Sequence, residues 1–303
     1  MRQLRRQPLR LIFLGALLCL AHTSTAEILH EEHSLYSRII VNKLGNTVCL
    51  QFSVSRDQRN QSCIDTRRPK EMVFSYARMS MASLLFVEDP RRILVIGLGG
   101  GTLPTAFSEL YPDAAIDVVE IDPVVVEVAE TYFEFKSSDK LRVYTQDARV
   151  WTKRASTKTE RYDIIVLDAF NGEYIPEHLM TQEYLLETKS LLAAGGTLVA
   201  NTFAVSALYD HESATYAEVF GDFINFRIPE SANRVILVPG RPADEATILA
   251  NAERLKKSLR PYSVPIKRYA HLVIKGIDKA PDWDTSARLL TDQYSPANLL
   301  QSR

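Results

Sequence analysis

Residues 93–101 read ILVIGLGGG, and residues 118–122 read VVEID. These two stretches decide the fold. Four apolar residues make a buried strand, and the glycines after it let the backbone turn tightly and approach a ligand without Cβ interference. Residues 102–111 follow as a helix whose free N–H groups face that ligand. About twenty residues on, the second apolar run ends in Glu120, where an acid grips ribose hydroxyls in nucleoside-binding α/β folds.

The same alternation continues outward. Strands are predicted near 93–97, 116–120, 141–145, 163–167 and 196–201, with helices over 103–111, 123–133, 147–153, 180–192 and 209–220. Strands and helices in alternation argue for a parallel sheet covered on both faces. Two more strands, near 223–228 and 234–238, are separated only by PESAN and pair as an antiparallel hairpin at the sheet edge. The expected fold is α/β: a Rossmann-like, seven-stranded, methyltransferase-type sheet, the architecture of nucleoside-sulfonium transferases. Upstream, residues 35–65 alternate apolar and polar and predict a small antiparallel β module of about three strands, with turns at Gly45-Asn46 and 55–60. Residues 71–87 are apolar at helical spacing and stop before Asp89-Pro90. A helix over 243–259 and the tail from Pro261 give no domain boundary. The organisation read from this pattern is a leader over 1–26, a β-hairpin module over 27–70 and a Rossmann-like sulfonium-nucleoside-binding catalytic domain over 71–303.

The leader stands apart in composition. Arg2, Arg5, Arg6 and Arg10 precede the apolar run 11–21, and Ser24-Thr25-Ala26 supplies small residues for cleavage. This is the pattern of a secretory signal peptide, too short to span a bilayer comfortably, either cleaved or kept as an anchor. Arg5-Arg6 is loosely like a twin-arginine signal. Removing four arginines and no acids takes the net charge from −1 to −5. The expected location is therefore periplasmic or secreted. At 303 residues, with 46% apolar and 24% charged residues, the rest is ordinary for a globular chain. Its balanced charge argues against a nucleic-acid surface, and nothing beyond the leader suggests a membrane contact. Cys49 and Cys63 flank a turn-like SRDQRN; they either face each other across a hairpin, as an oxidising compartment would favour, or stay unlinked.

In such sheets ligands bind outside the carboxyl ends of the strands. Gly97, Gly99, Gly100 and Gly101 follow the first strand. Glu120 ends the second, with Asp122 beside it. Asp147-Ala148 follows the third, where a carboxylate accepts from an adenine amino group, and Asp168 ends the fourth. One such acid is usually a helix cap; three at successive strand ends beside a glycine turn point to a nucleoside site. His30, His33, His178, His211 and His271 are scattered and offer no metal cluster. His178 reads as a helix-start residue or as pocket lining.

These motifs resemble the spermidine synthase (polyamine aminopropyltransferase) family, in particular its divergent bacterial spermidine synthase-like branch, over about residues 34–296. SLYSRIIV is similar to that family's N-terminal hairpin module, RRILVIGLGGGTL to its glycine motif and VVEIDP to its ribose-binding motif. TQDA is similar to its adenine-binding motif and VLDAFNG to its catalytic-aspartate motif, while LLTDQYSP is also typical. The resemblance implies a decarboxylated S-adenosylmethionine donor as co-substrate, with no permanently bound cofactor and no metal. It also implies a small-molecule amine acceptor, methylthioadenosine as by-product, and commonly a homodimer. Asp168 would be the catalytic base; Gly97, Gly99, Gly100, Gly101, Glu120, Asp122, Asp147 and Ala148 would hold the nucleoside.

Acceptor contacts are expected from Tyr76, Asn171 and Glu173. Here the chain departs from the family pattern. Asn171 stands where a second acid is usual, GLGGGTL lacks the usual Asp, and Tyr76 in FSYARMS lacks its neighbouring acid. Glu173 or Glu71 would have to compensate, since a charge-assisted bond contributes roughly 1.5–3 kcal/mol. Two further readings fit the same fold: an S-adenosylmethionine-dependent methyltransferase, and a non-catalytic exported protein.

Overall fold

The computed structural model describes residues 26–53, 59–170, 175–242 and 244–296. The expected leader, and the acceptor residues Asn171 and Glu173, lie outside the described residues. The chain begins with a four-stranded antiparallel sheet in sequential order, β1 (Glu27–His33), β2 (Arg38–Leu44), β3 (Thr47–Ser53) and β4 (Arg59–Asp65). Sequence alternation gave the last three strands and missed β1. EILHEEH is mostly exposed, with Leu29 half-buried against the module's core but no apolar alternation along the strand, so its partner β2 supplies the order. Cys49 and Cys63 are directly opposite in the β3–β4 register and form a disulfide. The module's apolar face, with Ile39, Val41 and Leu50, packs on Val125, Val128 and Phe133 at the helix α3 (Pro123–Tyr132).

The predicted helix over 71–87 is only partly α. It runs as α1 (Ser75–Ser80) and then tightens into a 3₁₀ turn at Met81–Leu85, all of whose residues are buried. The large sheet follows: β5 (Arg92–Ile96), α2 (Thr102–Leu110), β6 (Ala115–Glu120), α3, β7 (Leu141–Thr145), α4 (Ala148–Ala155), β8 (Tyr162–Leu167), α5 (Gln182–Ser190), β9 (Leu192–Phe203), α6 (Tyr209–Phe220), β10 (Ile224–Arg227) and β11 (Asn233–Val238). Strand order is β10-β11-β9-β8-β5-β6-β7, parallel from β9 to β7. The expected hairpin is present: β10 is the edge strand, and β11 inserts antiparallel between it and β9. Two helices complete the chain, α7 (Glu245–Leu255) and α8 (Ile266–Ile277). The second lies in the tail that the sequence left unplaced.

Strand alternation divides the core. Ile93, Val95 and Val166 face α1, α2, α7 and α8, while Leu94, Ile96 and Leu167 face α4, α5 and α6. β5 is flanked by β6 on one side and β8 on the other, so the strand order reverses there. That is where such a sheet opens a crevice at its carboxyl edge.

Candidate active site

The glycine turn and Asp168 meet at this crevice. Gly97 has φ +97°, and a Cβ there would come within 2.3 Å of the Asp168 carbonyl oxygen. Only glycine lets the ends of β5 and β8 close together, and the Asp168 N–H then donates to the Ile96 carbonyl at 2.8 Å. The cleft above the turn, about 280 Å³, is lined by Gly97, Leu98, Gly99, Gly100, Thr102, Tyr76, Asp168 and, from the β module, Ser62. Gly101 is not among its lining residues; it backs onto the Phe135 ring, as Gly100 backs onto Phe133 and Ser62.

Asp168 sits in a poorly solvated place. Burial pushes its carboxyl up to about 7, while hydrogen bonds from Asn201 and then Tyr76 pull the other way. The Asn201 Nδ2 donates to Asp168 Oδ1 at 2.8 Å. Tyr76, on α1, has its own hydroxyl pushed well above the usual range, by burial first and by the Asp168 charge second. Its hydroxyl also lies 3.5 Å from the Gln61 carbonyl, at the rim formed by β4.

Glu120 ends β6, as expected for a ribose ligand. The Leu98 N–H donates to Oε2 at 2.9 Å and the Asp122 N–H to Oε1 at 3.0 Å. Burial raises this carboxyl, and those two donors partly offset the rise. A carboxylate has about four acceptor positions. The backbone donors hold Glu120 in one orientation and leave acceptor capacity for a ligand.

Asp122 is different and corrects the expectation. It is 3% exposed. Its Oδ1 caps α3 by accepting from the Val124 N–H at 3.0 Å, and its Oδ2 accepts from the Ser34 hydroxyl at 2.5 Å. Each oxygen helps join α3 to the β1–β2 turn, and because Asp122 is buried where Glu120 is half-buried, its role is structural rather than a ligand contact. Asp147 is also a cap, for α4, through the Val150 N–H at 2.9 Å; its other oxygen lies 3.0 Å from His178 Nε2. His178 occupies a short 3₁₀ turn, Glu177–Leu179, not a helix start. Ala148 is buried at the first turn of α4. Glu120, Asp122, Asp147 and Ala148 therefore lie along neighbouring strand ends but outside the lining of the glycine cleft.

On the other side of the sheet a mostly apolar cavity of about 320 Å³ is walled by Ile96, Ala169, Ile175, Met180 and Asn201. Among its described lining residues the one acid is Glu212, buried and paired with Arg234 at 2.6 Å. The LLTDQYSP motif closes over this wall. Leu290 is fully buried with Met180 and Leu208. Asp292 accepts from Thr181 at 2.7 Å and from both Arg149 guanidinium nitrogens at 3.0 and 2.9 Å. Thr181 is thus tied, through Asp292 and Arg149, to the start of α4. Asn201, Ser62, Thr102 and the Arg149–Asp292 pair escaped sequence reasoning. Asn201 was the findable one, since it lies near the end of the apolar run TLVAN, the one parallel strand end passed over.

Comparison with known proteins agrees with this geometry. Residues 71–239 match the spermine/spermidine synthase domain. A polyamine aminopropyltransferase of Vibrio vulnificus is 52% identical over 299 residues, covering 96% of this chain and 98% of that one. A probable spermidine synthase of Corynebacterium glutamicum superposes with a TM-score of 0.63 at 20% identity, over 86% of this chain and 98% of that one. Human methyltransferase-like protein 13, solved in complex with SAH, gives a TM-score of 0.57 at 25% identity, over 75% of this chain and all of that one. A glycine turn beside a half-buried Asp at a sheet of this strand order, together with that identity along nearly its whole length, makes the chain a member of the spermine/spermidine synthase family.

Proposed function

We propose that the protein is a polyamine aminopropyltransferase, moving an aminopropyl group from decarboxylated S-adenosylmethionine to a small amine. The observation that carries this reading is Asp168, an acid pushed up to about 7 on the wall of the glycine cleft. In the reaction a neutral amine nitrogen forms a bond to the propyl carbon next to the sulfonium. The carbon–sulfur bond breaks, sulfur keeps the electron pair, and methylthioadenosine leaves uncharged. The new ammonium must lose a proton, and Asp168 takes it. A base whose pKa matches the working pH is best suited to that transfer. Tyr76 steadies the carboxylate, and Glu120, with its spare acceptor positions, holds the ribose.

The lining of the cleft favours the decarboxylated donor. Among its described residues none is basic, and Asp168 is the one charged group. A carboxylate on the donor would find no cation there and would meet a like charge, whereas the donor's ammonium would meet hydroxyls and an acid. Asn171 and Glu173, within a few residues of Asp168, are the proposed acceptor contacts. The Cys49–Cys63 bond supports export of the chain, with residues 1–26 as its signal.

The test is a product assay with both sulfonium donors and a panel of di- and triamines. Methylthioadenosine formation that depends on an amine and is lost in Asp168→Asn is expected. Release of the homocysteine nucleoside instead would make it a methyltransferase, and binding with no product would leave a non-catalytic fold.

A further inference from the structure

The acid proposed as the proton acceptor is held by a pair of amides from two other strands. Asn201, 3% exposed, stands on β9 and donates through Nδ2 to Asp168 Oδ1 at 2.8 Å. Asn233, on β11, donates through its own Nδ2 to Asn201 Oδ1 at 3.0 Å. Asn233 is in turn fixed at its backbone N–H by the Ser231 hydroxyl at 3.1 Å. β9 and β11 are paired antiparallel, with Asn233 opposite Phe203 and Asn201 opposite Val235, so the two amides lie diagonally across the ladder.

This order of donors removes an ambiguity. An amide can turn either its oxygen or its nitrogen to a neighbour. An ionised Asp168 can only accept, so the end of Asn201 that faces it is the nitrogen, and Asn201's oxygen is left to accept from Asn233. The reverse orientation would set oxygen against oxygen at Asp168 and nitrogen against nitrogen at Asn233. The chain of amides thus supplies Asp168 with a committed donor at one oxygen.

We propose that Asn201, itself held by Asn233, is a positioning residue that occupies Oδ1 of Asp168 and leaves Oδ2 to take the proton of the attacking amine. A buried carboxyl without such a donor would stay protonated at neutral pH and could not act as a base. Tyr76, reaching in from α1, is the titratable group set against the same carboxyl; the amides supply a hydrogen bond without adding charge. The proposal rests on the reading of Asp168 given above, so its test includes a measurement that does not need turnover.

The Asp168 carboxyl is titrated by ¹³C NMR in the full protein, in wild type, Asn201→Leu and Asn233→Ala. Loss of one donor to a buried carboxylate is expected to move the midpoint alkaline by about one pH unit in Asn201→Leu and by a smaller step, in the same direction, in Asn233→Ala. The acidic limb of the kcat/KM profile should move with it, while methylthioadenosine affinity stays within roughly twofold. An unchanged midpoint in either folded variant overturns the proposal. Should Asn201→Leu fail to fold, Asn233→Ala decides alone, since it leaves the amide of Asn201 in place but free to turn. A wild type that forms no methylthioadenosine would remove the aminopropyl reading, and the carboxyl titration would still decide whether Asn201 governs Asp168.

Discussion

Replacing Asp168 by Asn is expected to slow turnover and, at neutral pH, to make the protein more stable. An unperturbed aspartate titrates near 3.9, whereas burial lifts this one to about 7. At about 1.4 kcal/mol per pH unit, the gap corresponds to roughly 4 kcal/mol between its two protonation states. The folded carboxyl binds its proton more tightly than the unfolded one. Its contribution is therefore complete below about pH 4 and is lost progressively as pH rises to about 7. Asn has nearly the same shape, keeps an oxygen for Asn201 to donate to, and never ionises. Because the cleft side of Asp168 meets solvent, part of the difference is screened, and a gain of roughly 1–3 kcal/mol at pH 8 is expected. Urea unfolding of both proteins at pH 5 and pH 8 measures it, and titration of every other group cancels in the comparison. The rate should fall by about 10²–10⁴. A stability difference that is the same at both pH values, or an Asn variant weaker at pH 8, would refute the claim that ionised Asp168 is held against its own preference.

Glu120→Ala should weaken methylthioadenosine binding at least about tenfold, or 1.4 kcal/mol, by calorimetry, with no change in fold. Gly97→Ala drives a methyl into the Asp168 carbonyl at 2.3 Å and should both destabilise the protein by more than about 2 kcal/mol and lower activity, read by thermal melting and by the product assay. Opening the Cys49–Cys63 bond, whose residues are 14 apart in sequence, should lower stability by up to about 3 kcal/mol in a melt with and without reductant. Because Ser62 adjoins Cys63 and lines the glycine cleft, the reduced protein should also show a raised donor KM.

The centre of the large sheet was legible because β5, β6 and β8 are short apolar runs followed by glycine or ended by an acid, a pattern that local chemistry imposes. β1 was not, since its order comes from pairing with β2 and not from an apolar alternation of its own. α8 does carry a helical signal, with Ile266, Tyr269, Ala270 and Val273 at i, i+3, i+4 and i+7, but a stripe of that kind does not say which face of the sheet it will cover. At the site, the acids at strand ends were found but their duties were not. Asp122 and Glu120 stand two residues apart, and only the Ser34 hydroxyl and the α3 amide show that one is committed to structure. Asn201 illustrates the opposite limit: its place near a strand end is readable, but the duty of a neutral amide comes from which oxygen it faces.

The tie between Asp292 and Arg149 has a consequence for the order in which the enzyme becomes complete. Synthesis runs from the N-terminus, and domains take shape as they emerge. The crevice between β5 and β8 exists once the first parallel strands are made, but Leu290 and Asp292 arrive more than a hundred residues after Asp168. Until then the wall at Ile175, Met180 and Leu208 lacks the side chain that buries it, and Thr181 and Arg149 lack their shared acceptor. A nascent chain therefore displays this wall unfinished from the time Thr181 is made until Asp292 follows it. Fastening it is among the last events in the protein's assembly, which makes residues 288–294 a poor place for a tag or a truncation.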